Sequence, residues 1–237
     1  MRRTAPRPAG STRALGVTAA ALWCAGCQPP EGIYDLVGNG EDTCGSGSVA
    51  EIRDDFDDDA KAEQWVGYAD ASASVAEVNQ QVEMRVDGSM KAFAGYAWIG
   101  GQRSLLGCHV GLEMKQVGST EGGVFTYLSV PSSDGTETGD IAITHVAGTL
   151  TMNVSSGGAT SSQSVPYDPV EQAWWRVREA DGEVHFETSS DGRTWLPQFS
   201  AETPAFAGSV VVNVGVGVNE PVPGGGFAIF DNLNVVP

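Results

Sequence analysis

The stretch AWWRVREADGEVHFETSSDGRTW, residues 173–195, predicts antiparallel strands with one face in a protein core. Successive side chains of an extended strand point to opposite faces, so Val184 and Phe186 are expected to face inward. The polar residues that alternate with them are expected to face water; these are Glu183, His185 and Glu187. The residues Ser190-Asp191-Gly192-Arg193 supply a turn, because glycine readily adopts the positive φ that hairpins need. This is the pattern of a one-sided antiparallel strand.

Strand patterns recur along the chain after Glu51, separated by clusters of Gly, Ser and Asp. No segment places apolar residues at i, i+3, i+4 and i+7 over three turns, so long helices are not expected. Ten or more short strands divided by turn residues are typical of a sandwich or jelly roll. We therefore predict an all-β fold, an antiparallel two-sheet β-sandwich, in one domain over residues 51–237.

The N-terminus predicts export. Four arginines and no acidic residue precede an uncharged run from Ala14 to Gly26. A basic start, a short apolar run and small residues at its end are typical of a signal peptide, here residues 1–26. The run is too short for a lasting membrane span, which needs about 20 apolar residues in a helix.

The residues Cys24-Ala25-Gly26-Cys27 resemble the lipobox of bacterial lipoproteins, with Cys24 where leucine is usual. The resemblance implies that Cys27 is lipidated and becomes the new N-terminus, so that only this anchor contacts the bilayer. In enteric lipoproteins an Asp after this cysteine retains the protein in the inner membrane, so Gln28 favours anchoring in the outer membrane of the cell envelope. The alternative is a plain signal peptide.

Residues 27–50 are rich in Pro, Gly and Ser and predict a flexible tether. With Cys24 removed and Cys27 lipidated, Cys44 and Cys108 remain. In an oxidising exported compartment these two thiols are expected to form a disulfide. The alternative is two unpaired cysteines, with Cys108 buried as a small apolar residue.

The charge of the chain limits its partners. It carries 30 acidic against 13 basic residues, a formal net charge of −17. A protein of this charge repels phosphate backbones, so nucleic acid is not expected as a partner.

Three segments resemble concanavalin A-like lectin/glucanase domains, which include laminin G-like modules: DDFDDD followed by QW (residues 54–65), the 174–195 stretch, and FAIFDNLNVV (residues 227–236). The resemblance spans about residues 50–237 and implies a jelly roll. It does not fix the function, because this superfamily contains lectins, glycosidases and other modules.

Laminarinase-type members of the superfamily carry Glu-x-Asp-x-Glu on a concave strand. Glu183-Val184-His185-Phe186-Glu187 has this spacing with a histidine in place of the aspartate. A glycosidase that uses Glu183 and Glu187 as paired carboxylates is therefore one alternative. The preferred interpretation is the solvent face of an ordinary strand.

Carbohydrate sites need flat apolar faces with polar groups at their edges. Tyr96 and Trp98 share one face of a predicted strand and are our candidate carbohydrate-binding residues, the alternative being sandwich core. Calcium is the expected ion, because hard cations take oxygen ligands and Asp55, Asp57 and Asp231 supply carboxylates. In related modules the first and last strands often share such an ion. The alternative is a solvated acidic run. The histidines at 109, 145 and 185 are isolated in sequence and lack the spacing of a zinc site, so no zinc and no other cofactor is expected.

These observations lead to one functional hypothesis. The chain is expected to be an exported, lipid-anchored, non-catalytic binding module, with carbohydrate as the favoured ligand class. The alternatives are the Glu183/Glu187 glycosidase and a scaffold module that binds another envelope component.

Overall fold

The computed structural model describes residues 42–119, 122–133 and 138–235. The predicted signal peptide, Cys27 and most of the predicted tether lie outside these residues. The described residues form fourteen strands: β1 Trp65–Ala69, β2 Ala73–Glu77, β3 Val82–Val86, β4 Ala92–Trp98, β5 His109–Gln116, β6 Val124–Pro131, β7 Asp140–Val146, β8 Thr149–Ser156, β9 Ala159–Pro166, β10 Trp174–Ala180, β11 Glu183–Ser189, β12 Leu196–Glu202, β13 Asn213–Val218 and β14 Gly226–Asp231. Two short 3-10 helices are Val49–Glu51 and Ala205–Gly208.

The strands form two seven-stranded antiparallel sheets. Sheet I has the order β1-β4-β13-β6-β7-β8-β9, and sheet II has the order β12-β11-β10-β5-β14-β3-β2. The predicted all-β sandwich is therefore confirmed. No helix in the described part of the chain has the length and apolar character needed to cross a membrane.

The core lies between the inner faces of the two sheets. In β8, Leu150, Met152 and Val154 are buried while the residues between them are half-exposed, which is the expected period of two. Each fully buried apolar side chain of this size contributes about 1.5–3 kcal/mol to stability through removal from water.

Residues 173–195 form antiparallel strands as predicted, and β11 pairs with β12 across the predicted turn Ser190-Asp191-Gly192-Arg193. Strands β10 and β11 pair through the two-residue turn Asp181-Gly182, in which both residues have positive φ. Val184 and Phe186 face the core as expected. In the following turn, the Asp191 carboxylate accepts the backbone N–H groups of Arg193 and Thr194, which lowers the pKa of Asp191 to about 2.

The predicted boundary between the tether and the folded domain, at residues 50 and 51, needs correction. Cys44 is disulfide-bonded to Cys108, and the backbone N–H of Thr43 donates to the carbonyl of Gly107 at 2.9 Å. Val49 is fully buried. Residues 42–50 therefore belong to the folded body, so the predicted boundary at Glu51 lies too late in the chain. Composition alone could not show this, because the segment is held by contacts with distant residues: the Cys44–Cys108 disulfide and backbone hydrogen bonds to Ser104 and Gly107.

His145 of β7 points into the core and is fully buried. Its Nε2 accepts the backbone N–H of Gly148 at 3.2 Å, and its ring packs on Tyr167 at 4.7 Å between centroids. Nδ1 has no hydrogen-bond partner among the described residues. Because burial disfavours the charged imidazolium, the pKa of His145 falls to about 4.

Candidate functional site

Four half-buried aromatic side chains lie together on the outer face of sheet I. We call them the aromatic platform: Tyr68, Phe93, Phe125 and Tyr127. They come from β1, β4 and β6, and the sheet pairing sets them in two rows. One row runs Tyr68, Gly95, Gly215, Tyr127, and the next runs Phe93, Gly217, Phe125.

Glycines make room for the tyrosine row. A Cβ atom added at Gly95 would lie 2.5 Å from Cζ of Tyr68, and one added at Gly215 would lie 2.5 Å from Oη of Tyr127. The phenol ends therefore rest directly over the glycine backbone, which no larger residue would allow. The two hydroxyls hydrogen-bond to each other above the sheet. Burial raises the pKa of both phenols, so both stay neutral at physiological pH.

The phenylalanine row is built in the same way. A Cβ atom at Gly217 would lie 2.5 Å from Cζ of Phe125 and 2.7 Å from Cδ1 of Phe93. The Phe93 and Phe125 ring centroids are 5.7 Å apart, and Phe125 is 6.1 Å from Tyr127. The carboxylate of Asp70 accepts the backbone N–H of Phe93 at 2.9 Å and orders this end of the row. The rings thus form one continuous apolar surface.

Beside the platform, the outer face of β7, β8 and β9 carries short polar side chains. We call this the hydroxyl strip: Thr144, Thr149, Thr151, Asn153, Ser155, Thr160, Ser162 and Ser164. Thr151 and Ser164 hydrogen-bond through their hydroxyls at 2.9 Å, and Ser155 and Thr160 do so at 3.0 Å. The outer face of sheet I is therefore apolar on one side and rich in uncharged donors and acceptors on the other.

Among the described strand residues of this face, Asp140 is the one carboxylate. Ser129 Oγ donates to its Oδ1 at 2.7 Å. Burial raises the pKa of Asp140, although the hydrogen bond from Ser129 works against that rise. The next outward residues of β7 are Ala142 and Thr144, so no second acid accompanies Asp140 on its strand.

The predicted carbohydrate-binding residues, Tyr96 and Trp98, face the core and not the outer surface of sheet I. Tyr96 is 2% exposed and packs in the core against Trp65 at 6.1 Å between ring centroids. Trp98 packs edge-on against Trp65 at 5.3 Å. Strand β4 reads AFAGYAW and is apolar on both faces, so its alternation could not show which face is outside. The outward aromatic of this strand is Phe93.

Glu187 is also not a free carboxylate that could work together with Glu183. Glu187 is 4% exposed, and its two carboxylate oxygens accept from Arg176 Nε at 2.7 Å and Arg178 Nη2 at 3.3 Å. Glu183 is exposed at the start of β11. Both belong to sheet II, the sheet opposite the platform. Glu187 was expected to face water, but the two arginines of the neighbouring strand make it a buried ion pair.

The predicted calcium ligands are not assembled. Asp55 and Asp57 are exposed, while Asp231 is buried and ion-paired with Lys115. Among the described residues, these three do not bring oxygen atoms within 4.8 Å of one another. The Lys115 ammonium already neutralises the Asp231 carboxylate, so the residues present do not fit the predicted ion.

Near the acidic segment 54–58, the carboxyl of Glu77 has a raised pKa. Glu77 is 6% exposed, and its Oε1 accepts the backbone N–H of Ala60 at 3.2 Å. Burial, together with the neighbouring Asp54 and Asp58 carboxyls, raises the pKa of Glu77 to about 7.

Two seven-stranded antiparallel sheets packed face to face in this strand order define a concanavalin A-like jelly roll. No family model matches the sequence, and no curated protein matches it by sequence similarity.

Solved structures show the fold. A β-1,3-1,4-glucanase (lichenase) from a mouse hindgut metagenome superposes with a TM-score of 0.56 at 8% identity, over 77% of this chain and 96% of that one. A GH16 protein of Bacteroides ovatus, in complex with a glucan product, gives 0.53 at 10% identity over 78% and 98%. An antigen of Mycobacterium tuberculosis described as a pseudo β-1,3-glucanase gives 0.55 at 14% identity over 79% and 98%. At these identities the likeness establishes the fold.

Proposed function

We propose that this chain is an exported, lipid-anchored, non-catalytic module that binds a neutral polysaccharide on the outer face of sheet I. The observation that carries the proposal is the aromatic platform lying next to the hydroxyl strip. Export and lipid anchoring rest on the signal-like residues 1–26 and on Cys27, which lie outside the described residues.

The platform fits the chemistry of a sugar chain. A pyranose ring has an apolar C–H face that packs on aromatic rings, and hydroxyl groups at its edge that need polar partners. Phe93 and Phe125 supply the aromatic surface, while the hydroxyl strip supplies partners without charge. The hydroxyl strip contains no charged side chain, which favours a neutral ligand. The glucan-related names of the fold neighbours direct the first tests toward β-linked glucans.

The absence of a carboxylate pair among the described strand residues of the platform face supports binding without cleavage. Glycoside hydrolysis typically uses two carboxyl groups, about 5–5.5 Å apart for retention and about 6.5–9.5 Å apart for inversion. Asp140 stands alone among the described strand residues of the platform face. Glu187 is held by two arginines on the opposite sheet. The sequence contains one Glu-x-Asp-x-Glu segment, Glu179-Ala180-Asp181-Gly182-Glu183, but its Asp181 and Gly182 form the turn between β10 and β11. Its two glutamates therefore lie on different strands of sheet II and not along one strand.

Affinity electrophoresis of the full chain in gels containing mixed-linkage β-glucan or laminarin tests the proposal. The Phe125→Ala variant is expected to bind about tenfold more weakly, the loss of one stacking ring. Phe227→Ala is the matched control, because Phe227 is a half-buried phenylalanine on sheet II, where it stacks with Arg85 at 3.6 Å. This variant is expected to bind like the wild type.

Two results would overturn the proposal. Equal retardation of the wild type and Phe125→Ala would remove the platform as the binding site. Release of reducing sugar by the wild type, abolished in Asp140→Asn or Glu187→Gln, would show an enzyme instead.

A further inference from the structure

Three metal-ligating side chains meet where the N-terminal segment joins β5, and a fourth, Cys108, is bonded to one of them. We call them the Cys44 corner: Asp42, Cys44, Cys108 and His109. Asp42 Oδ2 lies 2.6 Å from His109 Nδ1, and Cys44 is bonded to Cys108. Among the described residues, this is the one place where three such side chains, Asp42, Cys44 and His109, bring ligand atoms within 4.8 Å of one another.

The donor set suits zinc, except that the sulfurs are bonded to each other. Zinc takes thiolate sulfur at about 2.3 Å, imidazole nitrogen at about 2.0–2.1 Å and carboxylate oxygen at about 2.0–2.2 Å in a tetrahedron. Such ligand atoms stand about 3.3–3.8 Å apart. The corner already holds the carboxylate of Asp42, the imidazole of His109 and the sulfur of Cys44 within 4.8 Å of one another. Two sulfurs joined by a covalent bond cannot both coordinate one ion as thiolates.

We propose that reduction of the Cys44–Cys108 disulfide converts this corner into a zinc site with Asp42, Cys44, Cys108 and His109 as ligands. A dithiol reductant supplies the two electrons and two protons and leaves as its own disulfide. Zn²⁺ then displaces the two protons from the cysteine thiols. Cys44 is exposed and Cys108 is fully buried, so Cys44 is the sulfur that a reductant can attack.

The charges around the corner are unchanged by this exchange. Arg178 is the strand partner of His109, and Arg178 and Arg176 share the single carboxylate of Glu187. Two thiolates and one Zn²⁺ sum to zero, as does a disulfide, so the zinc form adds no uncompensated charge to this half-buried region.

The ligands stay close when the disulfide opens. Thr43, between Asp42 and Cys44 in sequence, donates its backbone N–H to the carbonyl of Gly107, the residue before Cys108. The N–H of Gly107 in turn donates to the carboxylate of Glu179. The segment can therefore be fastened to β5 either by a sulfur–sulfur bond or by a shared metal ion.

The test uses the full chain carrying Cys24→Ser and Cys27→Ser, so that Cys44 and Cys108 are its two thiols. The protein is reduced with dithiothreitol, desalted under argon and titrated with Zn²⁺ against a chromophoric chelator. We expect one Zn²⁺ per chain, bound at least about a hundredfold more tightly than by the oxidised protein. Co²⁺ in its place is expected to give thiolate-to-cobalt charge-transfer absorption and tetrahedral d–d bands.

Variants separate this site from adventitious binding. His109→Gln and Asp42→Asn should each weaken zinc binding by at least about tenfold, while His185→Gln and Asp57→Asn should not. Should the reduced chain lose its β-sheet circular dichroism, the proposal requires zinc to restore it. Zinc binding by the reduced chain that is no tighter than that of the oxidised chain, or than that of a Cys44→Ser/Cys108→Ser variant, would refute the proposal.

Discussion

The buried imidazole of His145 makes the stability of the domain depend on pH. Its pKa is about 4 in the folded chain, against 6.5 when it is free in solution. Between these pH values His145 is protonated in the unfolded chain but not in the folded chain. Stability is therefore lost as the pH falls from 6.5 toward 4. For one such site, the free energy of unfolding drops by about 2 kcal/mol between pH 7.5 and pH 5.

The effect of His145 cannot be read from the pH dependence of the wild type alone, because Glu77 changes the free energy of unfolding in the opposite direction over the same pH range. A variant that lacks His145 is therefore needed. The carboxyl of Glu77 has a pKa of about 7 in the folded chain, against 4.5 when unperturbed, so its contribution is present at low pH and is lost as the pH rises. His145→Leu removes the imidazole and its unpartnered Nδ1 but leaves Glu77 in place. Urea unfolding of wild type and variant, followed by tryptophan fluorescence at pH 7.5, 6.5, 5.5 and 5, gives the difference directly.

The variant is expected to gain about 2 kcal/mol relative to wild type as the pH falls from 7.5 to 5, a factor of about 30 in the folded-to-unfolded ratio. Its offset at pH 7.5, where Gly148 loses its acceptor, does not enter this difference. His185→Leu is the control for removing a histidine as such, because His185 is half-exposed on sheet II. This variant is not expected to gain stability relative to wild type as the pH falls. Parallel pH profiles for wild type and His145→Leu would refute the reasoning.

Three further predictions concern stability, each measured by urea unfolding. Glu77→Gln should become progressively more stable relative to wild type as the pH rises from 5 to 8, and a constant difference would contradict the raised pKa. Gly215→Ala should lose about 2 kcal/mol because its new methyl overlaps a platform ring, whereas Gly45→Ala, with open space around it, should change by less than about 0.5 kcal/mol; equal effects would remove the steric argument. Glu187→Ala should lose about 3 kcal/mol, because the buried guanidinium of Arg178 and the half-buried one of Arg176 lose their partner. Glu183→Ala should be nearly neutral, and the reverse order would favour a functional role for Glu183.

The sequence predicted the sandwich because strands that bury one face keep a strict period of two, as Val184 and Phe186 show. The same rule failed for β4, since Phe93 and Tyr96 make both faces of that strand apolar. The platform depends on Gly95, Gly215 and Gly217 lying beside aromatic residues of other strands. That register comes from long-range pairing, which a single strand does not encode.

One signal in the sequence could have shown the role of Glu187. The Asp181-Gly182 turn sets the register of its hairpin, and a two-residue turn there places Arg176 directly opposite Glu187. Opposite charges facing each other across a hairpin indicate an ion pair rather than a free carboxylate. The Lys115–Asp231 pair carried no such local signal, because the two residues come from strands far apart in sequence.

The position of the disulfide decides how the domain would respond to mechanical tension from an N-terminal anchor. Force arriving at Cys44 crosses to Cys108, 64 residues further along the chain, and enters β5, an interior strand of sheet II bonded on both sides. The polypeptide between the two cysteines, which includes β1 and β4 with Tyr68 and Phe93, lies inside a covalent loop that carries none of that force. A pull that would otherwise unravel the chain from its N-terminus therefore bypasses half of the aromatic surface.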